Sequence, residues 1–314
     1  MQNLTAANSA RPTVASLWIG SDLSWVEVVC IQSFLDAGHH FVLYTRGAIG
    51  NIPEGVEQRR ADDLTPPTTE LRDRKEIAAF SNFFRFRMLQ TEDFIWVDLD
   101  AYCVKPFDFD TDWIFAIEMA SRDRINTGVL ALPKDAVELQ QCIDFWQTPN
   151  AIPPWFPRNQ RRPLRELRMR GEAHTLESLR WGTSGPHLLD HFLRQSGNIQ
   201  HAMPRDTFYP TSGQDFALTY TSGVTRAEIE KPQTYSVHLY GEVKRRLLAD
   251  HNGLPPEGSY LELICVRHEV DPRDFPIKEI PRLDGAMPAD IDPAPGTPEN
   301  EMLDVVIQAN SDAD

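Results

Sequence analysis

The sequence predicts an α/β fold with a mostly parallel central sheet flanked by helices, and three observations lead to this prediction. Strand-like and helix-like patterns alternate within about 30 residues near the N-terminus, which is typical of a parallel unit with a crossover helix. A later apolar run, residues 94–97, ends in Asp98 and Asp100, as strands of such sheets end at a ligand site. With 314 residues, 41% hydrophobic and 25% charged, the chain can bury a sizeable core in one large domain, with or without an appendage.

Apolar spacing and turn residues assign the first half of the chain in order. The helix over 24–38 begins at the N-cap Ser24 and stops at Gly38. The helix over 72–90 carries one apolar stripe along its length. The predicted elements are a strand over 13–20, the helix over 24–38, a strand over 39–45, a loop over 46–70, the helix over 72–90 and a strand over 94–98.

The second half is less regular. Residues 149–163 are rich in proline and predict irregular structure, and Pro186 lies in the first turn of a predicted helix. The predicted elements are strands over 113–120, 125–133 and 234–241, and helices over 135–147, 183–197 and 256–269.

Charge and cysteine content limit the classes of function. The net charge of −15 argues against a dedicated nucleic-acid binder, and residues 285–314, with seven acids and no Lys or Arg, predict a disordered acidic tail. The N-terminus lacks the pattern of a signal peptide, and no apolar run approaches the roughly 20 residues that cross a bilayer. The cysteines form no CxxC pair, which favours reduced thiols in a cytoplasm-like compartment. We expect a cytoplasmic protein, either soluble or peripheral at the inner face of the membrane.

Asp98 and Asp100 are the strongest candidate site residues. Two carboxylates at the end of a buried strand repel each other and lose hydration, and a divalent cation would offset both costs. Oxygen ligands suit Mg²⁺ or Mn²⁺, which also bind phosphate oxygens. The alternative is a strand-end turn in which one Asp caps and the other is solvated, and the spacing alone leaves both interpretations open.

Residues 80–108 resemble the donor-binding region of the DXD-containing sugar transferases with a GT-A fold. These include the α1,4-galactosyl- and N-acetylglucosaminyltransferases, the initiating mannosyltransferases and, more distantly, the bacterial glucosylating toxins. Their pattern is S-D-x-x-R-Y/F-x-x-L on a helix, an apolar strand into D-x-D, and then K/R-P. Asn82 departs from the pattern, since the family has an Asp there that contacts a sugar hydroxyl, and this leaves the donor sugar open. The matching residues are Ser81, Arg85, Phe86, Leu89, Asp98, Asp100, Lys105 and Pro106.

The resemblance implies a domain layout. A GT-A-like catalytic domain would span 13–250, with an irregular basic insertion over 149–175 and a C-terminal acceptor-side lid. The remaining segments would be a flexible N-terminus over 1–12, a helix and extension over 251–284, and the tail over 285–314.

The resemblance also implies site residues, taken from residues 80–108 and from the segments LWIG, INTGVL, TSGP and SVHLYG. Each has a structural alternative: Trp18 as core, Asn126 as a turn residue, Gly185 as a helix start, His238 as a buried histidine, and Arg85 as a neutraliser of the acidic strand end. The implied roles are Mn²⁺ or Mg²⁺ on Asp98, Asp100 and His238, donor-sugar contacts from Asn82, Arg85, Asn126 and Gly185, and nucleotide contacts from Trp18, Ile19, Gly20 and Leu99.

These features favour a metal-dependent glycosyltransferase that moves a hexose from a nucleotide-sugar, UDP-linked by resemblance, to a saccharide or glycolipid acceptor, as in polysaccharide or lipopolysaccharide biosynthesis. The resemblance implies retention of configuration with the leaving phosphate as the base, so no nucleophile is named, and Asp215 is the candidate acceptor contact. Two alternatives remain. A haloacid-dehalogenase-like phosphohydrolase also ends a strand in D-x-D, and Asn82 lends weight to a non-catalytic nucleotide-sugar-binding protein on the same scaffold.

Residues 158–170 hold six arginines in an otherwise acidic protein. One interpretation is a solvated insertion with a short helix. The other is a surface for an anionic acceptor or a lipid headgroup, because Arg binds phosphate through two hydrogen bonds and Leu164, Leu167 and Met169 would enter an interface.

Overall fold

The computed structural model describes residues 11–66, 71, 74–119, 124–179 and 182–278, and the predicted tail over 285–314 lies outside these ranges. Strands and helices alternate through this part of the chain. The strands are β1 Val14–Ile19, β2 Phe41–Arg46, β3 Val56–Arg60, β4 Ile95–Val97, β5 Ala101–Cys103, β6 Ile114–Met119, β7 Arg124–Ala131 and β8 Ser236–His238. The helices are α1 Trp25–Asp36, α2 Arg74–Thr91, α3 Val137–Gln147, α4 Arg158–Met169, α5 Pro186–Ser196, α6 Arg226–Ile229, α7 Tyr240–His251 and α8 Tyr260–Arg267.

Six strands form one central sheet in the order β3-β2-β1-β4-β7-β6. The pairs β1–β2, β2–β3 and β1–β4 are parallel, whereas β7 is antiparallel to both β4 and β6. This confirms the prediction of an α/β fold with a mostly parallel sheet. The chain runs outward from β1 to β3 and then returns to place β4 on the other side of β1. The carboxyl ends of β1 and β4 therefore meet at a topological switch point, where open α/β sheets bind ligands.

Helices cover this sheet through their apolar residues. α3 packs against both α2 and α5. α2 also packs on β1 and β4, α5 packs on β7, and α1 packs on β2 and β5. The first turn of α1 is fixed by a reciprocal capping box, in which Glu27 accepts hydrogen bonds from both the backbone and the hydroxyl of Ser24. Trp25, Phe84 and Trp96 are fully buried, so this core supports both neighbouring strands of the switch point.

The strands β5 and β8 form a separate antiparallel sheet in which Ala101 lies opposite His238. Its position is fixed by a hydrogen-bonded chain from β5 to α1. The Tyr102 hydroxyl is 3.0 Å from Nε2 of His268, and Nδ1 of the same ring is 2.6 Å from an Asp36 carboxylate oxygen. The C-terminal part of the chain is thereby fastened to the N-terminal half beside the switch point.

Three sequence predictions differ from the structure. The predicted loop over 46–70 contains β3. The predicted strand over 234–241 ends at His238, because the Leu239 amide donates to the Asp100 carbonyl at 2.7 Å and the backbone of Tyr240 adopts a left-handed conformation with φ of 55°. The predicted irregular stretch over 149–163 becomes helical from Arg158.

All four cysteines are buried and unpaired. No helix within the described ranges is both long and apolar enough to span a membrane.

Candidate metal and donor site

A tight turn at the end of β4 presents the two aspartates. The Ala101 amide donates to the Asp98 carbonyl at 2.9 Å and closes the turn, so β5 begins directly after it. The Asp98 amide donates to the carbonyl of Gly128 on β7 at 2.7 Å, which extends the β4–β7 ladder up to this turn. Both carboxylates therefore lie at the carboxyl end of β4, beside the switch point.

The small sheet brings His238 to these aspartates, although 138 positions separate Asp100 and His238 in the sequence numbering. Nε2 of His238 is 3.5 Å from Oδ1 of Asp100. One ligand atom from each of Asp98, Asp100 and His238 lies within 4.8 Å of the others. The structure thus places the three predicted metal residues in one cluster.

Two observations show that this cluster fits a cation. Nδ1 of His238 is buried and has no hydrogen-bond partner in the described part of the chain, which is unusual for a buried ring nitrogen. A Cβ atom on Gly128 would lie only 3.1 Å from that Nδ1 and 3.1 Å from Oδ2 of Asp98, so the glycine leaves room beside both atoms. Two carboxylates and one imidazole are a donor set for Mn²⁺ or Mg²⁺, and the cluster could hold a divalent ion.

Arg85 on α2 orients the first aspartate. Its Nη2 donates to Oδ1 of Asp98 at 2.9 Å, and its Nη1 donates to the carbonyl and hydroxyl of Thr127, both at 2.6 Å. Nε1 of Trp96 donates to the same Asp98 oxygen at 2.8 Å. Since Oδ1 is occupied by two donors, Oδ2 is the oxygen that remains for a ligand. Arg85 therefore links α2, β7 and the aspartate turn.

Replacing Arg85 with Met should lower the free energy of unfolding by about 3 kcal/mol, because the change leaves Asp98 and Thr127 without their donor. Asp98 keeps some contact with solvent, which places the effect at the lower end of the range for buried pairs. Urea unfolding of the metal-free protein measures it. Arg87→Met, two residues further along α2, should change stability by less than about 0.5 kcal/mol. Equal losses in the two variants would contradict the assigned role of Arg85.

The electrostatic setting of the cluster is mixed. Burial raises the pKa of Asp100, and the Asp98 charge adds to this, while His238 opposes it. A buried lysine, Lys244, lies near the end of β1. Its ammonium group contacts the buried Glu27 carboxylate and lies 5.9 Å from the Trp18 ring centre. Burial lowers the pKa of Lys244 to about 7, and the Glu27 contact works in the opposite direction. The site thus combines Asp100, whose charged form is disfavoured by burial, with a buried Lys244–Glu27 pair nearby.

The residues predicted for the donor sugar lie on α2, on β7 and in the segment before α5. Nδ2 of Asn82 donates to the Ser184 hydroxyl at 3.2 Å, and a Cβ on Gly185 would lie 2.4 Å from Oδ1 of Asn82. The segment before α5 therefore touches α2 three residues from Arg85. Asn126 lies on β7, and its side-chain oxygen accepts from the Gly128 amide at 2.7 Å.

The residues predicted for the nucleotide lie at the end of β1 and in the aspartate turn. Trp18 and Ile19 are half-buried and Gly20 is exposed, so this corner is accessible. A Cβ on Gly20 would lie 3.1 Å from Nε1 of Trp18, so a larger residue would press on the indole. Leu99 differs from them, because its side chain is buried in the core.

Asp215 is separate from this cluster in its contacts. Its side chain is 52% exposed and lies 3.8 Å from Arg205. The preceding residues approach the site more directly: the Thr211 hydroxyl donates to the His238 carbonyl at 3.4 Å, and the Ser212 hydroxyl donates to the Glu118 carbonyl at 2.9 Å.

Several residues around the site escaped the sequence interpretation. The rings of Tyr209 and Tyr240 pack edge-on against His238, with centroids at 5.7 and 4.5 Å. The Tyr240 hydroxyl is buried without a hydrogen-bond partner among the described residues, and burial and the Glu118 charge raise its pKa. Thr127 and Gly128 follow Asn126 directly in INTGVL, so that motif could have indicated them. No local signal marks Glu118 or Tyr209.

Comparisons with known proteins add little to this geometry. No family model matches the chain, and no curated protein matches it. Among solved structures, the chain is similar to one named PaToxG Glycosyltransferase, with 13% sequence identity and a TM-score of 0.41, over 72% of this chain and 89% of that chain. We draw neither fold nor function from this likeness, and both rest on the sheet topology and the site.

Proposed function

We propose that this protein is a metal-dependent glycosyltransferase with a GT-A-like fold, which moves a hexose from a nucleotide-sugar to a saccharide or glycolipid acceptor. The observation that carries the proposal is the cluster of Asp98, Asp100 and His238 beside the switch point of the sheet. The proposed donor is a UDP-sugar, and transfer proceeds with retention of configuration, in line with the resemblance of residues 80–108.

The order of strands suggests how the donor lies. Trp18 stands at the end of β1, the aspartates follow β4, and Asn126 lies on β7, so these positions follow one another along the carboxyl edge of the sheet. In the proposal, the base lies at β1, the diphosphate at the aspartates, and the sugar near Asn82, Asn126 and Gly185. The next strand, β6, carries Glu118 and marks the acceptor side.

The chain's own residues have distinct roles in this proposal. Asp98, Asp100 and His238 would hold a divalent cation, which would neutralise the charge that builds up on the departing diphosphate. Arg85 holds Asp98 in the orientation that keeps its Oδ2 available, while Asn82 and Arg85 orient the donor sugar. The half-buried Trp18 stacks on the base, and Leu99 contributes backbone contacts. Asp215 contacts the acceptor. The insertion over 149–175 and the C-terminal part exclude water, which would otherwise hydrolyse the donor.

The two alternatives have weaker support. A dehalogenase-like phosphohydrolase uses an aspartate on its first strand as a nucleophile, whereas Asp98 follows the fourth strand and accepts two hydrogen bonds on Oδ1. Phosphate release from simple monoesters would support that alternative. Nucleotide-sugar binding without turnover in any acceptor screen would support a non-catalytic protein.

A thermal-shift panel of nucleoside diphosphates and nucleotide-sugars, with and without Mn²⁺, tests the proposal. We expect UDP and a UDP-hexose to raise the melting temperature only when Mn²⁺ is present. A ligand at 100 times its Kd adds about 2.7 kcal/mol, which corresponds to a shift of several degrees.

Trp18→Ala should reduce the nucleotide-dependent shift in that panel, because it removes the proposed stacking surface. Trp113→Ala is its control, since Trp113 precedes β6, an edge strand three places from β1 in the sheet, and stacks on His201 at 4.9 Å. Nucleotide shifts that are the same with and without metal would contradict the proposed site.

A further inference from the structure

The helix α4 carries most of the positive charge of its neighbourhood. Residues 158–172 contain six arginines and two glutamates, in a chain whose net charge is −15. Both glutamates are engaged: Arg162 pairs with Glu166 at 2.8 Å, and Arg170 pairs with Glu172 at 2.6 Å. Arg158, Arg165 and Arg168 have no carboxylate partner among the residues that the structure describes. A local excess of positive charge therefore faces solvent.

One face of α4 is fixed to the protein. Leu164 is 3% exposed and joins a small apolar cluster, and Leu167 packs against the same cluster. One of the two interpretations of this segment placed both leucines in an interface. The structure contradicts that part of it, because both side chains pack into a satellite core of the protein itself. The members of that core are Ala151, Phe156, Leu164, Leu176 and Leu179.

The opposite face of α4 forms a regular surface. Arg158, Arg162, Arg165 and Met169 follow one another at spacings of four, three and four residues, so they lie along one side of the helix. All four are exposed. Met169 is 78% exposed, the highest value among the exposed large hydrophobic side chains of the described residues. We refer to these four residues as the α4 stripe.

This stripe is anchored close to the candidate donor site. The satellite core packs against Trp146 of α3, whose ring lies 4.7 Å from that of Phe83, centre to centre. Phe83 directly follows Asn82 on α2. The segment that carries α4 is thus in contact with the helix that carries Asn82 and Arg85.

We propose that the α4 stripe docks this protein onto an anionic lipid membrane. Guanidinium groups bind phosphate oxygens through paired hydrogen bonds, and an apolar side chain among them can enter the boundary between headgroups and acyl chains. The net negative charge of the chain does not prevent this contact, because ions screen charges beyond about 8–10 Å at physiological salt. A further step, that the acceptor is a lipid of the same bilayer, rests on the proposed function. The docking surface itself does not depend on that function.

Co-sedimentation of the full chain with vesicles tests the proposal. We expect binding to phosphatidylcholine vesicles that contain about 30% phosphatidylglycerol, at about 0.05 M salt, and little binding to pure phosphatidylcholine or at about 0.5 M salt. Replacing Arg158, Arg162 and Arg165 with Gln should lower the partition coefficient roughly a hundredfold, and the triple Lys variant should retain most of the binding. The charge-matched control replaces the exposed Arg60, Arg245 and Arg273 with Gln and should bind like the unchanged protein.

A site-specific probe then locates the contact. Because all four native cysteines are buried, Met169→Cys offers a selectively reactive thiol for an environment-sensitive fluorophore. Its emission should shift to the blue on anionic vesicles. A fluorophore at Val266→Cys, on α8, should not shift, although Val266 is 73% exposed and thus comparable in accessibility.

Three results would contradict the docking proposal: no binding to anionic vesicles at low salt, equal loss of binding in the charge-matched control, or equal fluorophore shifts at positions 169 and 266. Absence of vesicle binding would instead make an acidic protein segment the expected partner of the arginines. None of these measurements involves sugar transfer, so their failure is distinguishable from a failure of the proposed function. The far-UV circular dichroism of each variant confirms that it is folded.

Discussion

Asp100→Asn should abolish the metal-dependent stabilisation of the protein and lower metal-dependent hydrolysis of the nucleotide-sugar by on the order of 10²–10³-fold. Asparagine keeps the size of the side chain but offers a weaker, neutral ligand to a cation. The raised pKa of Asp100 shows that the folded protein disfavours its charged form, so metal-free Asp100→Asn should be at least as stable as the unchanged protein. Thermal unfolding with and without Mn²⁺ measures both effects.

Asp110→Asn is the matched control, because Asp110 is exposed and lies in the loop between β5 and β6. It should leave the metal-dependent shift and the hydrolysis rate unchanged. If metal-free Asp100→Asn lost stability and kept the full response to Mn²⁺, then Asp100 would be a structural turn residue, as in the alternative interpretation of the D-x-D spacing.

Gly128→Ala should weaken Mn²⁺ binding by about 10–100-fold without removing any proposed ligand. The new methyl group would lie 2.8 Å from Cε1 of His238 and 3.1 Å from Oδ2 of Asp98, so the imidazole or the carboxylate has to move. The same crowding should lower the free energy of unfolding by about 1–3 kcal/mol. Titration of the protein with Mn²⁺, followed by calorimetry, measures the loss of affinity.

Gly241→Ala provides the comparison for this variant. It adds the same methyl group three residues after His238, and nothing lies within 4 Å of the position that the Cβ would take. Its Mn²⁺ affinity should match that of the unchanged protein. If Gly128→Ala bound Mn²⁺ as tightly as Gly241→Ala, the proposed ion would have to lie elsewhere.

The sequence correctly predicts the secondary-structure elements in which the local apolar pattern agrees with the burial seen in the structure. The strand over 13–20, the helix over 24–38 and the helix over 72–90 correspond to β1, α1 and α2, and the paired aspartates follow β4 as predicted. β1 and β4 are short apolar runs whose residues are mostly buried, and α2 carries an apolar stripe along one face. The mostly parallel sheet follows from the same alternation.

In β3 and α4, the local sequence pattern does not agree with the structure. β3 has the sequence VEQRR, which is nearly all polar, and it becomes a strand because β2 offers it a parallel edge. Leu164 and Leu167 have the spacing of an interfacial helix, but the apolar partners that bury them come from residues 151–179 of the satellite core. In both cases a distant pairing decides the structure, and a local window does not contain it.

The candidate site shows the same limit. Asp98 and Asp100 follow from one strand, whereas the position of His238 depends on the register of β8 against β5, which no local spacing encodes. The resemblance to the sugar transferases supplied His238 as a candidate. It could not supply the hydrogen bonds of Arg85 to Thr127, because they depend on the packing of α2 over β7.

The separation of the two sheets has a consequence for biosynthesis. All six strands of the central sheet lie before residue 132, while β8, which brings His238, is translated roughly a hundred residues later, about 5–20 s at typical ribosome speeds. The six strands of the central sheet are thus synthesised while only the two acidic members of the cluster exist. Tight cation capture becomes a property of the finished polypeptide, because premature termination upstream of β8 removes the imidazole together with part of the shared core.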